Sequence, residues 1–241
     1  MKCPINFMNI GNMTSIKNND CCVVVPTYKT IDMLSDFEAK SLSNTKDKLY
    51  NYDIVIVCPN KLDVTGYEQY STNIIKFDNK FFTSLKSYND LMLSPSFYEE
   101  FHDYRYILIV QLDAYVFDDK LSEFLNMGYD YIGSLHYTPQ TGHKLINGNG
   151  GFSLRKVDAF IEASKNIKKD LHNRWDWEDI LYSYYYRDHL NLAPYDVCLK
   201  FGWQQEPEKC FEEANHQLPF GCHKPYEYGR NFEKYQFLYN E

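Results

Sequence analysis

Residues 104–117 read YRYILIVQLDAYVF, the strongest strand signal in the chain. Tyr106–Val110 is an unbroken apolar run, which predicts a strand buried on both faces, as in parallel sheets. Gln111, Leu112 and Asp113 follow, so an aspartate stands at the carboxyl end of that strand. Upstream, CCVVVPTY (21–28), YDIVIVCPN (52–60) and NIIKF (73–77) have the same character, the first two closed by Pro26 and Pro59. Between them, Ile31, Leu34, Phe37 and Leu42 recur at helical spacing and predict a helix over 30–49. SLKSYNDLMLSPSFYEEF (84–101) predicts another, interrupted near Ser94-Pro95. Strands alternating with helices on this scale predict an α/β fold: a mainly parallel central sheet with helices on both faces.

Downstream the signals shorten. DDKLSEFLNMG (118–128) predicts a helix capped by Asp118 and Asp119, and YDYIGSL (129–135) a strand. INGNGGFSLR (146–155) reads as a Gly-Asn turn running into a strand, followed by helices over 156–169 and 175–190. Beyond Leu192 only short strand-like pieces and a loop, LPFGCHKP (218–225), are expected. Residues 1–19 are polar and Asn-rich, which predicts a loosely held arm; 20–241 reads as a single domain.

Composition bounds the function. With 44% hydrophobic and 24% charged residues, the 241-residue chain is globular and long enough for a proper core. A net charge of −8 argues against a nucleic-acid-binding surface, which would need a basic stripe. It does not exclude a nucleotide ligand, because a metal ion can neutralise a diphosphate locally. The 22 Tyr, 16 Phe and 3 Trp suit a stacking surface for sugars and bases, or equally the codon usage of an AT-rich genome. No apolar run is long enough to span a bilayer, and the N-terminus lacks a signal-peptide layout. A cytoplasmic location is the expectation. Seven cysteines without a C-x-x-C fit it and speak against structural zinc.

Four constellations can carry chemistry. Asp113, at a strand end where open α/β sheets bind ligands, suits a hard cation and a diphosphate. Asn147-Gly148-Asn149-Gly150-Gly151 can bring backbone close to a ligand, although hairpins use the same residues. In Trp175-Asp176-Trp177-Glu178-Asp179, aromatics offer a sugar platform and acids offer a general base; acids at a helix start are also ordinary. His223 stands in Pro219-Phe220-Gly221-Cys222-His223. The other histidines, 102, 136, 143, 172, 189 and 216, read as structural hydrogen-bonders.

In this order the motifs resemble GT-A glycosyltransferases, and in particular a bacterial glycosyltransferase-like family of formerly unknown function. The resemblance covers roughly residues 20–225. It implies that Pro26, Thr27 and Tyr28 line a nucleoside pocket and that Ser87, Asn89, Gln111 and Asp113 contact the donor. Gly150 and Gly151 would lie under the donor sugar, and Trp177 and Asn149 beside the acceptor. Asp113 and His223 would hold Mn²⁺ or Mg²⁺. Asp179 would be the base, with Glu178 next in line. The departure is Tyr115, which stands where a second metal-binding aspartate is expected.

The implied activity is transfer of a sugar from a nucleotide-diphosphate sugar, by family a UDP-sugar, to an acceptor hydroxyl with inversion. Surface glycan or polysaccharide synthesis is the implied setting. The acceptor is left open among glycan, lipid-linked and protein, and peripheral membrane association stays open too. A retaining transferase, or a non-catalytic nucleotide- or sugar-binding module, is the alternative.

Overall fold

The computed structural model describes residues 20–137, 146–167 and 177–239. The predicted arm over 1–19, His143, His172, and Trp175 and Asp176 of the acidic motif lie outside the described residues.

Nine strands form one sheet among the described residues: β1 (Cys21–Pro26), β2 (Asp53–Pro59), β3 (Asn73–Phe77), β4 (Tyr106–Val110), β5 (Ala114–Val116), β6 (Tyr131–His136), β7 (Ile146–Lys156), β8 (Gly202–Trp203) and β9 (Gly221–His223). Their order is β3-β2-β1-β4-β7-β6-β8-β9-β5. The pairings β1–β2, β1–β4, β2–β3, β6–β8 and β8–β9 are parallel; β4–β7, β6–β7 and β5–β9 are antiparallel. The sheet is thus mainly parallel, within an α/β fold.

The continuous apolar runs have a direct cause. Along β1, Cys21, Val23 and Val25 pack into one core cluster while Cys22 and Val24 pack into the other. Helix α1 (Asp36–Lys48) covers the first face through Phe37 and Leu42. Helices α2 (Leu85–Met92), α3 (Pro95–Glu99) and α5 (Val157–Asn166) cover the second through Leu91, Phe97 and Phe160. Both faces of β1 are covered, and the strand carries no charged or amide side chain. Helix α1 is closed at its start by a reciprocal capping box between Ser35 and Glu38, and at its end by Lys46 and Lys48 against the dipole. The break expected at Ser94-Pro95 falls between α2 and α3.

Several local expectations are corrected. The 104–117 segment is two strands, β4 and β5, separated by a turn in which Ala114 N donates to Gln111 O (2.9 Å). The N-cap of α4 (Leu121–Leu125) is Lys120, without a side-chain bond, and neither Asp118 nor Asp119. Asp118 Oδ1 accepts from Asp119 N (2.9 Å), while the Asp119 carboxylate accepts from the backbone of Leu121, the first residue of the helix. The glycine run is inside strand β7, with the β6 register slipping between Gly133 and Ser134 to absorb Gly150–Phe152 and between Ser134 and Leu135 to absorb Gly148. The helix expected over 175–190 is, among its described residues, a helical turn at Glu178–Ile180, a π-helical turn at Leu181–Tyr185 and a 3₁₀ turn at Arg187–His189. The tail carries helices at Tyr195–Phe201, Pro207–Glu213 and Pro225–Tyr228, and Gly221–His223 of the predicted loop is strand β9.

Candidate active site

The carboxyl ends of β1, β4 and β9 frame a cleft. Where β1 ends, Thr27 N bonds Val57 O (2.8 Å), and the Thr27 hydroxyl meets Tyr67 Oη (3.2 Å) and receives Lys29 N (3.1 Å). Lys29 Nζ is paired with Glu38 at 2.7 Å. Pro26, Thr27, Tyr28 and Lys29 line one cavity of about 460 Å³, with Leu85, Tyr88, Gln111 and Asp113 opposite. Tyr28 is exposed at its mouth.

Helix α2 presents Leu85, Tyr88 and Asn89 to the cleft, at the i, i+3, i+4 spacing of one helical face. Ser87 points elsewhere. It completes the capping box of α2, where Ser87 N donates to Ser84 Oγ (3.1 Å) and Ser84 N to Ser87 Oγ (3.0 Å). It lines neither cavity.

The antiparallel pairing of β5 with β9 sets Ala114 opposite His223, and Lys224 N bonds Asp113 O (2.8 Å). That register carries the His223 ring to the strand end 110 residues earlier, with Nε2 3.1 Å from Asp113 Oδ1. Nε2 is also 3.1 Å from Gln111 Oε1, while Nδ1 is 2.7 Å from Gln204 Oε1. His223 is buried; the Asp113 side chain is 44% exposed and so open to a ligand. Burial pushes the Asp113 carboxyl up, but the His223 ring and Lys224 outweigh it and hold the group below its usual range.

These contacts test the implied cation. Gln204 Oε1 can only accept, so Nδ1 carries a ring proton toward it, and Nε2 is the ring nitrogen that meets Asp113 Oδ1 and Gln111 Oε1. Either a proton on Nε2 or a cation set between these three atoms satisfies the two oxygens. The donor set of one imidazole, one carboxylate and one amide oxygen fits Mn²⁺ or Mg²⁺ completed by ligand or water oxygens. Among the described residues no three His, Cys, Asp or Glu side chains group together, so the protein would supply only part of the shell. Tyr115 is no part of it. Its ring packs near Phe37, Phe117 and Phe237, away from the cleft.

A second cavity, of about 500 Å³, shares Leu85, Tyr88 and Gln111 with the first, so the two form one continuous cleft. Its wall includes Asn149, Gly150, Gly151, Trp177, Glu178, Asp179 and His223. Asp179 is buried, and its Oδ2 accepts from Gly150 N (3.2 Å) and Oδ1 from Ile180 N (2.8 Å). Glu178 is spoken for: Oε1 takes a 2.6 Å ion pair from Arg155 and Oε2 accepts Asp179 N (2.8 Å). Burial pushes the Asp179 carboxyl above its usual range, against the backbone N–H groups of Gly150 and Ile180.

The glycines serve the protein's own side chains as much as any ligand. A Cβ on Gly148 would strike Ser183 Oγ, one on Gly150 would strike the Glu178 carboxylate, and one on Gly151 would strike the His223 ring. Ser183 is in turn held by Asp179, its hydroxyl donating to Asp179 O (2.6 Å) in the π-helical turn. His136 Nε2 is buried without a hydrogen-bond partner. Burial and the nearby His223 lower its pKa to about 4, so the ring is neutral.

The cleft thus brings together Pro26, Thr27, Tyr28, Asn89, Gln111, Asp113, Asn149, Gly150, Gly151, Trp177, Glu178, Asp179 and His223, and leaves out Ser87. Of the second cavity's lining, sequence reasoning missed Leu85, Tyr88, Tyr137, Gln204, Gln205, Lys224 and Tyr228. Tyr88 was within reach, since the helical face that holds Asn89 also holds positions 85 and 88. Gln204 and Gln205 carried no signal.

Residues 71–223 match the family described as "Protein of unknown function (DUF5672)", and the chain belongs to that family. No curated protein matches it. Among solved structures, it is similar to the apo-form glycosyltransferase GlyE of Streptococcus pneumoniae TIGR4. The TM-score is 0.51 at 13% identity, over 84% of this chain and 54% of that one, so this chain spans about half of GlyE. A glycosyltransferase involved in the glycosylation of the major capsid of PBCV-1 matches at TM-score 0.47 and 11% identity, over 84% of this chain and 92% of that one. The likeness to GlyE shows that the α/β fold is one a glycosyltransferase uses. No helix among the described residues is long and apolar enough to cross a membrane.

Proposed function

We propose that the protein is a glycosyltransferase that moves a sugar from a nucleotide-diphosphate sugar, a UDP-sugar, to an acceptor hydroxyl with inversion, in surface glycan or polysaccharide synthesis. One observation carries the reading: a single cleft joins a pocket at the end of β1 to a pocket holding the buried Asp179, with Asp113 and His223 at the junction. The nucleoside sits against Pro26, Thr27 and Tyr28, and the diphosphate at Asp113. The sugar lies over Gly150 and Gly151, and the acceptor beside Trp177 and Asn149.

Asp179 takes the proton of the acceptor hydroxyl as that oxygen bonds the anomeric carbon. The bond from that carbon to the diphosphate oxygen breaks on the opposite face, and the nucleoside diphosphate leaves with the electron pair. Glu178 is held by Arg155 and is the poorer base. A Mn²⁺ or Mg²⁺ ion on Asp113, His223 and Gln111 would supply Lewis-acid stabilisation of the leaving diphosphate.

The test is a panel of nucleotide sugars with simple glycosides as acceptors, read by release of nucleoside diphosphate and by NMR of the product anomer. Inversion is expected. A retained anomer would reduce Asp179 to orienting the sugar, and saturable binding without turnover of any donor would make the protein a binding module.

A further inference from the structure

We infer that Arg155 is the positioning residue that assigns the two adjacent carboxylates their separate roles, holding Glu178 out of the chemistry and aiming Asp179 at the acceptor. The inference rests on the reading of Asp179 as the base. Arg155 lies on β7 with a side chain 0% exposed, an unusual place for a permanent cation. Its fork is nearly filled. Nε donates to Ser153 Oγ (3.0 Å), one terminal nitrogen to Tyr98 Oη (2.8 Å), and the other to Gly150 O (3.3 Å) and Glu178 Oε1 (2.6 Å). The guanidinium also stands over the rings of Tyr131 (5.5 Å) and Phe160 (5.3 Å).

Both routes from this nitrogen end on Asp179. Through Glu178, the second carboxylate oxygen fixes the Asp179 amide (2.8 Å). Through the Gly150 carbonyl, it fixes the residue whose N–H holds Asp179 Oδ2 (3.2 Å). Arg155 thus touches two of the groups that hold Asp179, the third being Ile180 N on Oδ1 (2.8 Å), and contacts neither cavity itself. Gly150 must be glycine because the ion pair fills the space of a Cβ: the nearest guanidinium nitrogen would be 2.7 Å away. A buried guanidinium needs partners for its N–H groups whatever its role; what marks this one is that two of its partners, Glu178 and Gly150, are themselves bonded to Asp179. Lysine, with one nitrogen, cannot make all these contacts together.

Removing Arg155 alone would strand a buried anion and endanger folding, so the decisive variant removes the pair. Arg155→Met/Glu178→Leu should unfold at about the wild-type temperature and bind UDP with unchanged affinity. Its kcat should fall on the order of a hundredfold with little change in donor KM, as expected when a base loses its aim. Arg155→Lys should fold and recover only part of that loss. A double variant with wild-type kcat overturns the inference, because neutralising Glu178 would then be all Arg155 does. The same assay on Asp179→Asn separates the two claims: if that variant keeps turnover, the base assignment falls instead. A crystal structure of the double variant reads positioning without any turnover. Asp179 Oδ2 should leave Gly150 N; an unchanged contact overturns the inference whatever the activity.

Discussion

Gly151 has no side chain because the imidazole of His223 stands where its Cβ would be. Strand β7 and strand β9 meet at this point, with Gln111 N bonded to Gly151 O (2.9 Å) and Gln111 Oε1 3.1 Å from the same ring. The contact ties the glycine run to the junction of the cleft. Gly151→Ala is expected to push the ring off Asp113 and Gln111. Overpacking of this kind costs about 1–3 kcal/mol, which urea unfolding would read. Cation-dependent binding of UDP should weaken together with it, and an alanine variant that binds UDP as before would show that the ring moves without consequence.

Asp179→Asn should leave UDP affinity nearly unchanged and lower turnover by about a hundred- to ten-thousand-fold. The pH profile of the wild type supplies a second sign. A base works as the anion, and burial raises the Asp179 carboxyl. The rate should therefore rise with pH through a limb above the usual carboxylate range of about 4, and be lost below it. A flat profile down to pH 4 would mean that a carboxylate of ordinary acidity, or none, takes the proton.

Much of this was legible in the chain, and the reasons are physical. Strands β1, β2 and β4 announce themselves because both faces are buried, as Val23 and Val24 show by entering opposite cores. Asp113 was legible as a strand-end acid. That β4 and β5 are separate was not, since Leu112 and Ala114 keep the apolar pattern running through the turn. The meeting of Asp113 with His223 depends on a β5–β9 register that no local pattern encodes. The glycines were visible, but their reason is tertiary: the Glu178 carboxylate behind Gly150 and the His223 ring behind Gly151. The tail helices did carry a local sign, since Pro207 and Pro225 open two of them at the position proline favours.

On the proposed reading, a cation would be held by Asp113 and His223 jointly. Calorimetry with UDP in EDTA and in Mn²⁺ should show tighter binding with the metal, by about tenfold or 1.4 kcal/mol for even a modest coupling. Asp113→Ala and His223→Ala should each remove that difference. His216→Ala is the control: its ring is 64% exposed, paired with Glu212 (3.2 Å), and absent from both cavities. Equal affinities in the two buffers for the wild type would mean that the cleft binds nucleotide without metal.

The Tyr115 departure yields the sharpest test of how the cleft is built. A reading by motif alone says that Tyr115→Asp restores a missing ligand and tightens the cation. The structure says otherwise. Position 115 pairs with Cys222 in β9, and its ring centroid lies 6.4 Å from Phe37, 5.6 Å from Phe117 and 5.9 Å from Phe237. An aspartate there would leave an aromatic cluster with a gap and place a charge beside it, at a position that lines neither cavity. Losing a large aromatic contact and setting a carboxylate against apolar rings should cost about 2–4 kcal/mol in urea unfolding. Mn²⁺-dependent binding of UDP should not improve. Tyr115→Phe, which keeps the ring, should be close to wild type in both measurements. If Tyr115→Asp instead bound Mn²⁺ and UDP more tightly, with stability little changed, the side chain at 115 would reach the junction, and the aromatic cluster would not be what holds it away.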